Sequence, residues 1–391
     1  MKKTIIIGAP HHNTLGIVRS LGAKGLKPDV YLVSRSKAPG CVKSKFINKI
    51  EFFESEESVV DHLLRKNSLG EKSILLLSSD SVSSAIDAKY NVLKNSYVFF
   101  NTQGHTTSWM SKEKMCVLAT SLGMNVPKYF VYNKGDILPH NITFPCITKA
   151  ISSIDGGKAD TTICRNRVEL EEFLSTPNLC PLIQIENYIE KEIEFQFIGV
   201  SLNRGETIII PGHSHIKREK GIQNTYYFPY VENDESFRET LEKTKRFIKS
   251  TGYEGLFSVE FIRGKDGIDY FLEMNFRNDG NAHCVTDAGY NLPYIWYLWA
   301  TGGDYQSEIN NSSFKPVKYC PEFYYTLQCA YGEVSFCKWI WDTCTANSFT
   351  NYYKGDSPHF WSKFAFFAFK QMVKKVLILC GIKSAPKESI G

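Results

Sequence analysis

Short aliphatic runs alternate with helical patterns through the first hundred residues, and this alternation limits the fold more than any other feature. Lys3–Gly8, Val30–Val33 and Ser73–Leu77 are apolar enough to be buried strands. Asn13–Gly25 and Glu57–Leu64, which lie between them, carry the apolar spacing of helices. Strand, helix and strand in this order predict a parallel sheet covered by helices, with ligands at the carboxyl ends of the strands.

The composition is that of a globular chain with two or three domains. It has 391 residues, of which 43% are hydrophobic and 22% are charged. The apolar run after the first two lysines has three residues, which is too short for the core of a signal peptide. The 11 cysteines form no Cys-x-x-Cys pair, so we expect free thiols in a reducing cytoplasm.

Most of the net positive charge lies at the C-terminal end. The chain carries a net charge of +5, and residues 331–391 hold eight lysines against four acidic residues. The rest of the chain is close to neutral, which argues against a nucleic-acid binder. The same segment contains 13 aromatic residues.

A predicted hairpin over residues 255–275 carries the clearest chemical signal. Gly255–Arg263 and Ile268–Asn275 read as paired core strands, and Glu260 lies in the middle of the first. Glu273, Asn275 and Arg277 follow one another at every second position, which predicts a shared face. Two carboxylates and an amide on one face of an otherwise apolar hairpin favour a divalent cation, and magnesium typically comes with phosphates. A solvated face with salt bridges is the alternative.

Two lysines are weaker signals for a phosphate site. Lys149 ends the apolar strand Phe144–Lys149 and is followed by the glycine-containing loop Ser152–Lys158. Lys112 opens a helix that follows Ser111, near the end of a helix that anions prefer. Each lysine taken alone is equally compatible with a solvated side chain.

The order of these parts resembles the ATP-grasp superfamily of carboxylate–amine ligases, and within it the D-aspartate ligase-like branch. The resemblance covers roughly residues 1–305 and includes the segments SKEKMCVLATSLGMNVP, FPCITKA, LIQIENYIE, GYEGLFSVEF and FLEMNFRNDGNAHCVTDAGYNLP. It implies an α/β and α+β architecture. We expect a pre-ATP-grasp domain (1–103), a small lid subdomain (104–180), a large subdomain with the metal site (181–330) and an aromatic, basic helical extension (331–391).

The resemblance also implies roles for individual residues. Lys112 and Lys149 would contact the ATP phosphates, and Arg277 would lie near the transferred phosphoryl group. The metal ligands would be Glu260, Glu273 and Asn275. The remaining nucleotide contacts would come from the loop over the phosphates (Ser153, Gly156, Gly157), the adenine hinge (Glu186, Asn187, Tyr188, Ile189) and a ribose-binding acid (Glu192 or Glu194). Lys217 and Arg218 would face the triphosphate or the acceptor carboxylate.

Three positions depart from the family pattern. Ser111 stands where an aspartate is common, and Phe276 where a proline is usual. A glycine is usual near Lys191, which leaves the position of the ribose-binding acid open by a residue or two. None of the three removes a charge that catalysis needs.

The implied activity is ATP- and Mg²⁺-dependent amide formation. A carboxylate would be activated as an acyl phosphate and attacked by an amine, with an amino acid as the default amine. The acceptor could be a small molecule or a lipid-linked or polymeric glycan or peptide of the cell envelope, and a homodimer fits the family. The alternatives are an ATP-binding scaffold without catalysis and a carboxylase or carbamoyl-type enzyme.

The C-terminal segment 358–383 permits two interpretations. Lys363, Lys370 and Lys374 fall seven and four residues apart, on one face of a predicted helix that is otherwise apolar. Its uninterrupted apolar runs are too short to span a bilayer. The helix would either pack on the catalytic core or a dimer partner, or lie in the interface of an anionic membrane at the cytoplasmic side.

Overall fold

The computed structural model describes residues 2–34, 43–66, 71–151, 161–177, 179–216, 227–357 and 359–379. Residues 378 and 379 are described by their backbone alone. Three regions of regular structure follow one another along the chain, each built around its own sheet. The predicted combination of an N-terminal parallel sheet with mixed α+β subdomains is confirmed.

The N-terminal domain is a parallel α/β unit. Its strands are β1 (Thr4–Gly8), β2 (Asp29–Val33), β3 (Lys49–Phe53), β4 (Ser73–Leu77) and β5 (Tyr97–Val98), in the order β3-β2-β1-β4-β5. Its helices are α1 (His12–Gly22), α2 (Glu56–Arg65), α3 (Asp80–Asp87) and α4 (Tyr90–Leu93). Every strand pair is parallel, as the alternation predicts. Strand β3 was not expected, because it is a half-exposed edge strand with charged residues.

The second sheet is small and antiparallel. It contains β6 (Tyr129–Asn133), β7 (Cys146–Ala150), β8 (Thr162–Cys164) and β9 (Leu182–Asn187), in the order β6-β9-β7-β8. Helices α5 (Thr106–Trp109) and α6 (Lys112–Ser121) precede it, and α7 (Arg167–Leu174) follows β8. Because β9 pairs with both β6 and β7, the lid extends past the boundary expected at residue 180.

The third sheet has eight strands and carries the rest of the described chain. Its strands are β10 (Lys191–Leu202), β11 (Thr207–Ile209), β12 (Gly212–Ile216), β13 (Phe228–Glu232), β14 (Gly255–Gly264), β15 (Asp269–Asn275), β16 (Val317–Cys320) and β17 (Ser348–Phe349). Their order is β15-β14-β10-β12-β13-β16-β17, and β11 pairs with β10. The helices are α8 (Arg238–Thr251), α9 (His283–Asp287), α10 (Leu292–Thr301), α11 (Tyr305–Asn310), α12 (Glu322–Tyr331), α13 (Phe336–Thr345) and α14 (Phe360–Leu379).

The apolar cores divide differently from the sheets. One continuous core joins the N-terminal domain to the large sheet, and α10 takes part in it through Ile295 and Trp296. The small sheet has a separate core against α7, which includes Cys146, Leu170 and Ile183. The lid is therefore a separately packed unit, and α6 and the end of β9 connect it to the other two regions.

The C-terminal segment is not purely the helical extension that the sequence predicts. Strand β17 joins the large sheet beside β16. The buried Arg19 of α1 forms an ion pair with Asp356 (Nε–Oδ2 3.3 Å) and donates to the carbonyl oxygens of Thr350 and Asn351. These contacts fasten the segment to the N-terminal domain. Among the described helices, none combines the length and the apolar character that crossing a membrane requires.

Candidate active site

The lid turns one polar face away from its core. Along β7 and β9 the side chains alternate, so Thr148 and Ile185 are fully buried while Lys149 is partly open. Lys149 pairs with Gln184 and Ile147 pairs with Glu186 across the two strands. Directly paired residues share a face, so Lys149, Gln184 and Glu186 lie together on the side opposite the lid core.

Lys149 is held by Glu186. Its Nζ lies 2.8 Å from Glu186 Oε2, and Gln184 Nε2 donates to Glu186 Oε1 at 2.7 Å. Burial by itself would lower the pKa of Lys149, but the Glu186 carboxylate outweighs it and raises this pKa above its usual value. Lys149 is therefore a fixed positive charge on the polar face of the lid.

The large sheet presents a row of polar residues. Gln196 of β10 pairs with Glu260 of β14, and Glu260 pairs with Glu273 of β15. Gln196 Nε2 donates to Glu260 Oε1 at 3.0 Å, and Asn275 Nδ2 donates to the same oxygen at 3.2 Å. Two carboxylates and two amides thus lie side by side on one face of the sheet.

A β-bulge at Leu272 keeps Glu273 on this face. Glu260 pairs with Glu273, whereas the next residue of β14, Phe261, pairs with Phe271. Leu272 is therefore an extra residue on β15. Without it, the two-residue period would place Phe271 on the polar face beside Glu273, whereas Phe271 is fully buried in the core.

Lys112 reaches this row from helix α6. Its Nζ lies 2.9 Å from Glu273 Oε2. Two hydrogen bonds fix the helix to both sheets. The Lys112 N–H donates to the Ile151 carbonyl, just after β7 of the lid, and the Met274 N–H of the large sheet donates to Met115 Sδ. Lys112 therefore lies where the lid and the large sheet come together. Lys114 points elsewhere, over the ring of Trp109.

The cations around Glu273 stabilise its ionised form. Burial would raise the pKa of Glu273, but Lys112, and after it Lys149 and Arg277, bring the pKa below its usual value. Lys112 links the two polar faces, because its N–H bonds the Ile151 carbonyl beside β7 of the lid while its Nζ contacts Glu273 of the large sheet.

Arg277 joins the site to the N-terminal domain. It follows the end of β15, so the expectation that Glu273, Asn275 and Arg277 alternate along one strand holds only for the first two. Its Nη2 donates to Asn275 Oδ1 at 3.1 Å, and its Nε donates at 2.8 Å to Oδ2 of Asp80, at the start of α3. The carboxyl end of the parallel sheet thus meets the polar row, where the topology predicts a ligand. Burial opposes the charge on Arg277, but Asp80 and Asp279 raise its pKa.

The expected adenine hinge lies at the exit of β9. The Asn187 N–H donates to the Lys128 carbonyl, and the Tyr188 N–H donates to the Pro145 carbonyl. Ile189 continues into the short connection to β10. Of the two ribose candidates, Glu192 is exposed at a register shift in β10, whereas Glu194 is buried, two residues from Gln196 and 3.6 Å from Lys191 Nζ.

Some predicted site residues lie outside the described part of the chain. These are Ser153, Gly156 and Gly157 of the loop after β7, and Lys217 and Arg218 after β12. Three other residues belong to the site and were missed, namely Gln184, Gln196 and Asp80. The two glutamines stand two residues from a predicted glutamate on the same strand, which is the signal that would have found them. Asp80 had no assigned role in the site, although it follows the carboxyl end of β4, where ligands are expected.

The residues of the row suit a hard divalent cation. Among the described residues, no group of three or more His, Cys, Asp and Glu side chains is arranged to hold a metal ion. The predicted set has two carboxylates, Glu260 and Glu273, and the amide of Asn275. Oxygen donors of this kind, directly paired across strands and balanced by Lys112, match the preference of Mg²⁺ for a few protein oxygens plus phosphate.

A small lid sheet facing a large sheet across charged residues, with a parallel domain in front, is the ATP-grasp architecture. A family model described as the ATP-grasp domain matches residues 117–288. This match covers less than half of the chain, and it confirms the resemblance to the ATP-grasp superfamily over these residues. The D-aspartate ligase-like branch stays a prediction.

The relatives found are diverse. The chain is 28% identical over 174 residues to N5-carboxyaminoimidazole ribonucleotide synthase of Aquifex aeolicus, a match that covers 44% of this chain and 46% of that protein. The chain thus spans less than half the length of this curated relative. Among solved structures, L-amino acid ligase of Bacillus licheniformis has a TM-score of 0.63 at 17% identity and covers 81% of this chain and 78% of its own.

A third relative is a solved complex. The biotin carboxylase domain dimer of Hydrogenobacter thermophilus 2-oxoglutarate carboxylase, with MgADP, ADP and bicarbonate, has a TM-score of 0.60 at 17% identity. The match covers 77% of this chain and 70% of that chain. At these identities, the solved structures establish a shared fold.

Proposed function

We propose that this protein is an ATP-dependent ligase that joins a carboxylate to an amine. The observation that carries the proposal is that Lys112 contacts Glu273 and Arg277 contacts Asn275 in the row that includes Glu260, while Lys149 lies on the polar face of the lid, at the end of the strand that Lys112 also contacts. Cations from three parts of the chain facing two carboxylates are what a metal-bound polyphosphate requires. The names of the matched ligases and synthases agree with this activity.

The lid and the large sheet would divide the nucleotide between them. Lys149 and Lys112 would contact the phosphates, and the hinge residues Glu186, Asn187, Tyr188 and Ile189 would line the adenine. Glu194 suits the ribose better than Glu192, because it lies on the same strand face as Gln196. Glu186 would then release part of its hold on Lys149 when the phosphates bind.

Mg²⁺ would be held by Glu260, Glu273 and Asn275. When bound, the cation would neutralise phosphate charge and orient the terminal phosphoryl group. Gln196 would orient Glu260 through its 3.0 Å hydrogen bond, and Lys112 would keep Glu273 ionised.

The chemistry would take two steps. An oxygen of the acceptor carboxylate attacks the terminal phosphorus of ATP, the bond to the bridging oxygen breaks, and an acyl phosphate and ADP result. The nitrogen of the amine then attacks the acyl carbon, and phosphate leaves as the nitrogen loses a proton. Arg277, fixed by Asp80 and Asn275, would face the transferred group and offset its charge. Lys217 and Arg218 remain proposals for the triphosphate or the acceptor.

The acceptor would bind between the N-terminal domain and the large sheet, beside Arg277. We propose an amino acid as the amine and a carboxylate of cell-envelope material as the acceptor, either small or part of a lipid-linked or polymeric glycan or peptide. An acceptor of this kind would place the enzyme in the cytoplasm, at the inner face of a membrane. A homodimer is part of the same proposal.

Carboxylation is the second candidate. Bicarbonate is itself a carboxylate, and phosphorylating it would let the same site carboxylate an amine. The printed names of a carboxyaminoimidazole synthase and of a biotin carboxylase domain holding bicarbonate favour this alternative.

The test is release of ADP from Mg·ATP by the purified chain. Pools of amino acids and of carboxylated acceptors are added separately and together, with and without bicarbonate. A ligase of the proposed kind releases ADP when both pools are present, whereas release with amino acids alone identifies a ligase that joins two amino acids, because each carries both groups. Release that needs bicarbonate in place of the organic acid identifies carboxylation. ATP binding without release under any condition overturns the catalytic proposal in favour of a scaffold.

A further inference from the structure

We propose that the outer face of helix α14 docks onto an anionic lipid surface. This α14 outer face is formed by Phe366, Phe369, Val373 and Val376. The contact would serve an envelope acceptor, and to that extent it rests on the proposed function, but its physical basis is separate from the ligase chemistry.

The opposite side of α14 is packed against the protein. Phe360, Phe364 and Ala368 are buried, and the Phe364 ring lies 5.8 Å from the ring of Phe323 on α12. Lys375 Nζ donates to the Cys329 carbonyl at 2.8 Å. These contacts fix the orientation of the helix. One face of α14 packs on the protein, as the first interpretation of the sequence expects, and the opposite face is left exposed, as a membrane contact requires.

The α14 outer face is apolar and open. Phe366 is 71% exposed and Phe369 is 68% exposed, and the members of the face are three and four residues apart, as on one side of a helix. Eight of the seventeen exposed large apolar side chains of the described residues belong to α13 and α14. Apolar surface concentrated in this way marks an interaction site.

Lysines line one edge of this face. Lys363 and Lys370 are exposed and Lys374 is partly exposed, and their spacing of seven and four residues places them on one side of the helix. The sequence of α14 contains no acidic residue. Aromatic side chains that enter the headgroup boundary beside lysines that attract anionic headgroups are the chemistry of an interfacial helix.

The neighbouring helix α13 also exposes apolar side chains. Its Trp339 ring lies 6.4 Å from Phe364 of α14. It exposes Phe336 and Ile340, together with Trp341, which is 67% exposed. Tryptophan suits an interface because its ring is apolar and its N–H is polar.

A second copy of the chain fits this surface poorly. In a two-fold dimer that pairs two α14 helices antiparallel, the lysine edge of one copy would meet the lysine edge of the other. With no acidic residue on α14 to separate them, the like charges would repel. An anionic bilayer supplies the opposite charge and an apolar interior together.

The experiment is flotation of the full chain with vesicles of phosphatidylcholine, with and without phosphatidylglycerol. The protein should float with the anionic vesicles and stay at the bottom with neutral ones. Phe366→Ser with Phe369→Ser should abolish flotation. Lys363→Gln, Lys370→Gln and Lys374→Gln together should lower partitioning by about fivefold per lysine at low salt.

Two matched controls accompany these variants. Ile137→Ser removes an apolar side chain that is 90% exposed on the lid, and it should float as the unmodified chain does. Lys27→Gln, Lys89→Gln and Lys94→Gln remove three exposed charges from the N-terminal domain, and they should leave partitioning within about twofold.

The outcomes separate this inference from the proposed function. A full chain that stays at the bottom with anionic vesicles overturns the membrane contact, whether or not ATP still raises the melting temperature. If the serine variant instead converts a dimer to a monomer in size-exclusion chromatography, a second copy covers the face. Loss of flotation in the serine variant alone, with the ATP shift intact, supports the lipid contact.

Discussion

Lys112 Nζ lies 2.9 Å from Glu273 Oε2, although Lys112 is on the helix that precedes the lid sheet and Glu273 is on a strand of the large sheet, far away in sequence. The ion pair joins the helix that enters the lid to the polar row of the large sheet. It favours the ionised form of Glu273, which is the form that can bind a cation.

Replacing Glu273 by glutamine tests this relationship. Glu273→Gln keeps the shape but removes the charge, so the protein should fold while turnover loses about 2–4 kcal/mol of transition-state stabilisation. ADP release with substrate measures the effect. Glu232→Gln, an exposed carboxylate on β13 of the same sheet, is the control and should leave turnover unchanged. Equal turnover in both variants would remove Glu273 from the site.

Lys149 should matter for nucleotide binding. Mg·ATP should raise the melting temperature of the unmodified chain, because it binds the native state only. Lys149→Ala should reduce this increase, since it removes a phosphate contact. It should also lower the melting temperature without ligand, since Glu186 is left buried without its cation. Lys134→Ala, at an exposed position of the lid, serves as the control. An unchanged ATP shift in Lys149→Ala would contradict the assignment.

The buried pair of Arg19 and Asp356 should stabilise the fold as a unit. Arg19→Ala leaves the buried Asp356 without its countercharge, with only the Lys45 N–H still donating to it, so unfolding in urea should become easier by about 3 kcal/mol. Combining it with Asp356→Leu should cost less than the sum of the single changes. Arg238→Ala breaks an exposed pair with Glu235 and should cost under about 1 kcal/mol. A similar loss from Arg19→Ala and Arg238→Ala would show that the C-terminal segment is not fastened through Arg19.

His213 should make stability depend on pH. Burial, and after it the neighbouring His215, lowers the pKa of His213 from 6.5 to about 4. The folded state therefore favours the neutral ring. Its contribution is complete above pH 6.5 and is lost as the pH falls toward about 4, with a loss of about 2 kcal/mol at pH 5.

Urea unfolding at pH 7 and pH 5 measures this slope. His213→Asn should flatten it, while His105→Asn, at an exposed position, should not. A slope that persists in His213→Asn would assign the pH dependence to other groups.

Elements with a strong local pattern were predictable from the sequence. The central strands β1 and β4 are continuous apolar runs, so their composition alone predicts that they are buried. The edge strand β3 escaped detection because charged residues interrupt it, and β17 because it has two residues. Glu273 and Asn275 stood out because polar residues at a two-residue spacing in a core strand demand a reason.

The sequence by itself determined most of the strands and helices and most of the charged side chains of the site, since both follow from periods of two and 3.6 residues along a local stretch. The tertiary structure alone decided which charges meet. Arg277 contacts Asp80 in another domain. Glu273 contacts Lys112 only because a bulge at Leu272 turns the Glu273 side chain away from the core. Such partners are chosen by sheet order and by the packing of distant elements, and no local period records them.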